Sequence, residues 1–247
     1  MRGVAFEACG CFPTGRHYAG IAHLLRTVVR GLAGDMAPDA PWSDLPIALV
    51  DVETTGTDAS ADRVVEVGVA VSRGGQVVER KNWLVNPGRL IPKEATDVHK
   101  ITDDLVKDAP AFAGVAREIV AMLVGCVPAA YNAAFDQAFL RSEIARAGLA
   151  EEELPPALRK NVEWIDPLVW ARELQQGERS RALGEVASRL GIAHDNAHRA
   201  SDDAEAALRV MLALGRDVRV PQTYAALVQE QRRLAMAQSD ERRLKWR

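Results

Sequence analysis

Ile47-Ala48-Leu49-Val50-Asp51-Val52-Glu53-Thr54-Thr55-Gly56 is the stretch on which the reading of this chain turns. Four apolar residues in succession, bounded by Pro46 and Gly56, fit a buried central strand better than a helix. Side chains alternate along a strand, so Asp51 and Glu53 share one face while Val52 takes the other. Two carboxylates so close repel by roughly 4 kcal/mol at 4 Å in a protein-surface dielectric. A hard divalent cation is the usual counter-charge, provided other acidic ligands reach the same place. Without them the stretch is only a strand ending at an acidic turn.

Working outward, Arg63 to Ser72 alternates and is rich in β-branched residues, Gly74-Gly75 makes a tight turn, and alternation resumes from Val77 to Val85. With Ile47 to Glu53 these form an antiparallel three-stranded meander. Glu94 to His99 reads as a short helical turn, and Thr102 caps a helix whose first turn carries Asp103 and Asp104. Helical spacing from Phe112 to Val124, a buried strand at Cys126 to Tyr131, and a helix from about Phe135 to Ala147 follow. Trp164-Ile165 reads as a short strand and Asp166-Pro167 as a helix start. Short helices complete the pattern at about Leu183 to Leu190 and Ser201 to Leu214. A meander followed by alternating strands and helices predicts an α/β fold with a mixed sheet.

The flanks differ from this body. Residues 1–45 hold an amphipathic basic helical segment, Arg16 to Gly34, and a Pro-containing linker, Gly34 to Asp44. Residues 216–247 hold eight basic and four acidic residues, net +4, against −3 for the whole chain. Tyr224, Leu227, Val228, Gln231, Leu234 and Ala235 form one helical face there. A solvated basic helical tail is the expectation, and an arm for phosphate or a protein partner is the alternative. The division is therefore 1–45, 46–215 and 216–247.

At 247 residues and 48% hydrophobic, the chain can bury a large core. A net charge of −3 and pI near 6.0 exclude a global positive field, so any nucleic acid must be held locally. Cys9, Cys11 and Cys126 supply neither a disulfide framework nor a zinc set. No run approaches the roughly 20 apolar residues of a membrane span, and the expected location is cytoplasmic.

Two further acids complete the pattern. Asp136, in Tyr131-Asn132-Ala133-Ala134-Phe135-Asp136, shares the apolar helix face of Phe139, Leu140 and Ile144, just after a buried strand where α/β sheets open a crevice. In the segment from His198 to Leu212, the stripe of Ala200, Ala204, Ala207, Leu208 and Met211 includes Asp203 and excludes Asp202, so Asp203 faces inward. A buried aspartate must be protonated, paired or metal-bound. His198 stands just before that helix.

Asp51-x-Glu53-Thr54-Thr55-Gly56, Asn132-x-x-Phe135-Asp136 and His198 followed five residues on by Asp203 resemble the three motifs of the DEDDh 3′→5′ exonucleases, the family of the proofreading epsilon subunit of bacterial DNA polymerase III. Asn86-Pro87-Gly88, Ile91-Pro92, Val98-His99-Lys100-Ile101-Thr102 and Trp164-Ile165-Asp166 resemble its linking segments. Lys100 stands where the family often has glycine. The resemblance covers about Pro46 to Gly215 and implies a ribonuclease H-like sheet flanked by helices. It implies that Asp51, Glu53, Asp136 and Asp203 hold two Mg²⁺ or Mn²⁺ ions, Asp51 shared between them and Asp136 steadying the second. It implies His198 as general base, with an unperturbed pKa near 6.5 suited to that task. Thr54, Thr55, Gly56, His99, Asn132 and Phe135 are the implied substrate contacts, with a packing role open for His99. The expected reaction releases nucleoside 5′-monophosphates from single-stranded or frayed DNA. Open alternatives are an exoribonuclease on RNA ends, a non-catalytic nucleic-acid-binding or polymerase-associated module, and an unrelated carboxylate-rich metalloenzyme.

Overall fold

The structure is a computed structural model that describes residues 31–194 and 199–245. Most of the N-terminal helical segment, with Cys9 and Cys11, and the histidine at 198 lie outside the described residues.

Four strands form one sheet in the order β3-β2-β1-β4: β1 (Ile47–Thr54), β2 (Val64–Arg73), β3 (Gln76–Leu84) and β4 (Val127–Ala129). β1 lies antiparallel to β2, with Asp51 opposite Gly68 and Glu53 opposite Glu66, and β2 lies antiparallel to β3. The expected meander is thus in place. β4 pairs parallel with β1 over only three residues, ending at Leu49 opposite Ala129. The strand expected from Cys126 to Tyr131 is shorter at both ends, and Trp164-Ile165 contributes a single parallel bridge, Ala129 to Ile165. This mixed sheet flanked by helices is the ribonuclease H-like architecture.

The helices are α1 (Lys93–His99), α2 (Asp103–Val106), α3 (Phe112–Met122), α4 (Ala133–Arg146), α5 (Pro167–Leu174), α6 (Leu183–Arg189), α7 (Ala200–Leu214) and α8 (Tyr224–Lys245). Thr102 caps α2 by accepting Leu105 N–H, and Asp166 caps α5 ahead of Pro167. Alternation along β1 sorts the core into two layers. Ile47 and Leu49 pack with α5, α6, α7 and α8, whereas Ala48, Val50 and Val52 pack with α3 and α4. The Asp51 and Glu53 positions therefore belong to the α7 side.

α8 differs from a solvated tail. Tyr224, Leu227, Val228, Gln231 and Leu234 are buried against the sheet and α5. Tyr224 Oη accepts Ala33 N–H at 3.1 Å and Trp42 is buried nearby, so the second half of the expected linker is docked as well. The helical face read from spacing was correct, but charge content alone said nothing of the surface that receives it. Among the described residues no helix is long and apolar enough to cross a membrane.

Candidate active site

β1 carries Asp51 and Glu53 past the end of β4, where one backbone edge of the strand loses its partner. Asp136, in the first turn of α4, takes up that edge: its Oδ1 accepts Val52 N–H at 3.0 Å. Only 3% of Asp136 is exposed. From the opposite layer, α7 brings Asp203 onto the face of Asp51 and Glu53. Ligand oxygens of Asp51, Glu53 and Asp203 all lie within 4.8 Å of one another. Asp136 stands close enough that its charge acts on Asp51. The four acids identified from the sequence are thus gathered at one place.

The electrostatics of this cluster are unfavourable without a counter-charge. Burial, then the carboxylates of Asp136, Asp203, Glu53 and Glu66, hold Asp51 well above the ordinary aspartate value. Burial pushes Glu53 up to about 8, with Asp203 and Glu66 adding to it. Asp136 is raised by burial, which outweighs the hydrogen bond from Val52. A purely oxygen-donor set of this charge fits hard divalent cations and contains no thiolate that would select a soft metal.

Close approach of α7 depends on two residues of β2 that the sequence reading missed. A Cβ on Gly68 would lie 2.1 Å from the carbonyl carbon of Ala200, so the helix backbone rests where a side chain would be. Glu66, fully buried, accepts Arg199 Nη2 at 2.7 Å and Nε at 3.1 Å on Oε1, and Ala200 N–H at 2.9 Å on Oε2. Asn82 on β3 donates to the same Oε1 at 2.8 Å and accepts Ser201 N–H at 3.2 Å. Orphan donors of the first helical turn are thereby satisfied. His194 is a second omission: its Nε2 hydrogen-bonds Asp203 Oδ1. Glutamate within an otherwise apolar strand was the one available signal for Glu66; nothing in the spacing marked His194.

The expected substrate residues divide. Thr54 Oγ1 donates to Gly56 O at 2.6 Å, and Thr55 Oγ1 donates to Asp62 Oδ1 at 3.3 Å while accepting Arg63 N–H. Both hydroxyls build the turn itself. A Cβ at position 56 would meet the Asp62 carboxylate at 2.3 Å, so the absence of a side chain lets this turn close on Asp62. His99 is 2% exposed, and its Nδ1 accepts Ile101 N–H at 3.0 Å, so the ring is packed within the fold. Asn132 is exposed, at φ +71, and the Phe135 ring lies against Phe139, 4.8 Å between centroids and tilted by 45°. Lys100 sits at φ +60, which explains in backbone terms why glycine is common at this position in the resembling family.

The RNase T family, described as exonuclease, matches residues 49–211. The chain belongs to this exonuclease family. A PolC-type DNA polymerase III of Thermotoga maritima is 30% identical over 193 residues, 78% of this chain and 14% of that protein. The 3′-5′ exonuclease DinG of Bacillus subtilis is 31% identical over 158 residues, 64% of this chain and 16% of that protein. The chain thus spans about one-seventh of the length of these curated relatives. Among solved structures, E. coli exonuclease I in a zinc-bound complex with single-stranded DNA gives a TM-score of 0.61 at 21% identity, covering 71% of this chain and 42% of that one. Exonuclease X with 5′ overhanging duplex DNA gives 0.55 at 21% identity, covering 73% and 99%. For an exonuclease of this family, the acidic cluster is the expected place of divalent metal.

Proposed function

We propose that this protein is a 3′→5′ exonuclease on single-stranded or frayed DNA, and that two Mg²⁺ or Mn²⁺ ions held by Asp51, Glu53, Asp136 and Asp203 serve it. The observation that carries this reading is the convergence of the Asp51, Glu53 and Asp203 oxygens within 4.8 Å. Relatives named as a DNA polymerase and a 3′-5′ exonuclease support it. Bound divalent ions would neutralise the scissile phosphate and the charge on the leaving oxygen.

The chain's own residues do the rest. Asp136, fixed on Val52 N–H, keeps one carboxylate oxygen committed to the strand and leaves the other for the site. His198, by its place five residues before Asp203, takes the proton from the attacking water. Water adds to phosphorus, the P–O3′ bond breaks, O3′ takes up a proton to become the new 3′-hydroxyl, and a nucleoside 5′-monophosphate leaves a strand one residue shorter. Asn132 and Phe135, at the entrance of α4, meet the terminal nucleotide. In this reading residues 46–215 are the exonuclease unit, flanked by 1–45 and 216–247, and the setting is cytoplasmic.

Incubating purified protein with end-labelled single-stranded DNA, duplex DNA and RNA, with and without Mg²⁺, tests the proposal. Stepwise shortening from the 3′ end of DNA with 5′-mononucleotide products is the expected result. Release of 3′-monophosphates, or equal turnover in EDTA, would overturn it; preference for RNA would replace DNA with RNA as substrate.

A further inference from the structure

Beside Asn132 the molecule has a cleft of about 870 Å³ between α5, the 175–182 connection and α8. Such a volume lies at the upper end of ligand clefts, roughly 300–1,000 Å³. Three arginines line it: Arg172 from α5, Arg181 ahead of α6, and Arg242 from α8. Arg181 is fixed in place. Its Nη2 donates to Gln175 O and Gln176 O, each at 2.6 Å, and its own carbonyl accepts Tyr131 Oη–H at 2.5 Å. Tyr131 precedes Asn132, so the arginine loop is tied to the chain that leads into α4 and Asp136.

Arg172 and Arg242 make no hydrogen bond or ion pair among the described residues, although Glu173 and Glu241 share the lining. Burial first, and next the neighbouring Arg242, lower the Arg172 guanidinium below its ordinary value, with Arg181 adding to the effect. Arg172 and Arg242 have therefore been brought together and Arg172 partly desolvated, an effect that the nearby Asp166 carboxylate offsets only in part. An anion entering the cleft would relieve the remaining repulsion, and planar guanidinium groups match phosphate oxygens. Asn132, four residues before Asp136 in the chain, lines the same cleft.

We propose that this cleft holds the sugar–phosphate backbone of the single-stranded DNA upstream of the scissile nucleotide, with Arg172 and Arg242 pairing with its phosphates. The inference rests on the exonuclease reading above. It gives α8, which lies beyond the residues matched by the family, a part in substrate binding.

The test measures anisotropy of labelled oligothymidylates of three and fifteen nucleotides with the full chain, in EDTA, from 50 to 200 mM KCl. Arg172→Gln combined with Arg242→Gln is expected to weaken the fifteen-nucleotide complex about tenfold and to reduce its log–log salt slope by about 1.4, at about 0.7 per phosphate contact. The three-nucleotide complex should change far less. Arg242 is exposed, so Arg242→Gln alone keeps the fold and should lower the slope by about half as much. Arg172→Lys should restore much of the affinity. Wild-type protein that binds neither oligonucleotide, an unchanged salt slope, or equal losses for both lengths would overturn the proposal. Mg²⁺-dependent shortening of the same strand is followed in parallel. Arginine-dependent binding without shortening would remove the exonuclease reading and leave the cleft; shortening with arginine-independent binding would remove the cleft alone.

Discussion

Gln231 of α8 and Asp166 at the start of α5 are joined by a hydrogen bond of 2.8 Å, from Asp166 N–H to Gln231 Oε1. The other end of the same side chain donates to Trp164 O at 2.8 Å. Asp166 in turn accepts Asn132 N–H at 3.0 Å and Ala133 N–H at 3.2 Å, at the entrance of the helix that carries Asp136. A buried glutamine on the C-terminal helix thus braces the loop that delivers a site carboxylate. Gln231→Leu would strand two backbone groups, each costing roughly 1–3 kcal/mol. Urea unfolding should show a loss of at least about 2 kcal/mol; an unchanged midpoint would contradict the bracing.

Glu66 is placed to hold Arg199 and the first turn of α7. Removing one member of a buried pair costs roughly 3–5 kcal/mol, and less here because Arg199 is half-exposed. Glu66→Gln keeps the shape and is expected to destabilise by about 1–2 kcal/mol. Turnover should fall by more than substrate affinity, because Asp203 rides on that helix. Wild-type turnover in a measurably destabilised variant would leave Glu66 a stabilising residue only.

Raised carboxylates bind protons more tightly in the folded state than in the unfolded one. For Glu53, raised from 4.5 to about 8, the stabilising contribution is complete below pH 4.5 and disappears as pH rises to about 8. Protein in EDTA should therefore lose up to roughly 1.4 kcal/mol per pH unit per such group over that window. Adding Mg²⁺ near pH 7.5 should raise the melting temperature and release protons into weak buffer. Equal melting temperatures at pH 5.5 and 8 in EDTA would argue against the buried cluster.

Asp51→Asn separates chemistry from stability. Nucleotide release should fall about a hundredfold or more, since a ligand oxygen is lost. In EDTA the same variant should be as stable as wild type or more so at pH 8, because a buried carboxyl beside four other carboxylates has gone. Asp203→Ala should abolish release as well. Substantial residual release by either variant would count against the metal assignment.

Lys100 at φ +60 carries a backbone cost of roughly 1 kcal/mol that glycine lacks. Lys100→Gly should stabilise by up to about that amount, read as a rise in melting temperature. A fall would mean that the lysine side chain, which donates to Asp97 O, contributes more than the backbone costs.

Local rules determined much of this protein in advance. Period-two alternation put Asp51 and Glu53 on one face, period 3.6 distinguished Asp203 from Asp202, and cap chemistry placed Thr102 and Asp166, because each depends only on neighbours a few residues away. Asp202 indeed turns away from the stripe, to Arg80. What only the tertiary structure decided were contacts between distant parts of the chain. Gly68 matters because Ala200 rests on it, Gly56 because Asp62 fills the space beside it, and α8 is buried because Trp164, Asp166 and Ala33 offer it partners. Side-chain pairing across more than a hundred residues leaves no periodic trace, so the hydrogen bonds from Arg199 to Glu66 and from Ser201 to Asn82 come into view only once the sheet and the helix have come together.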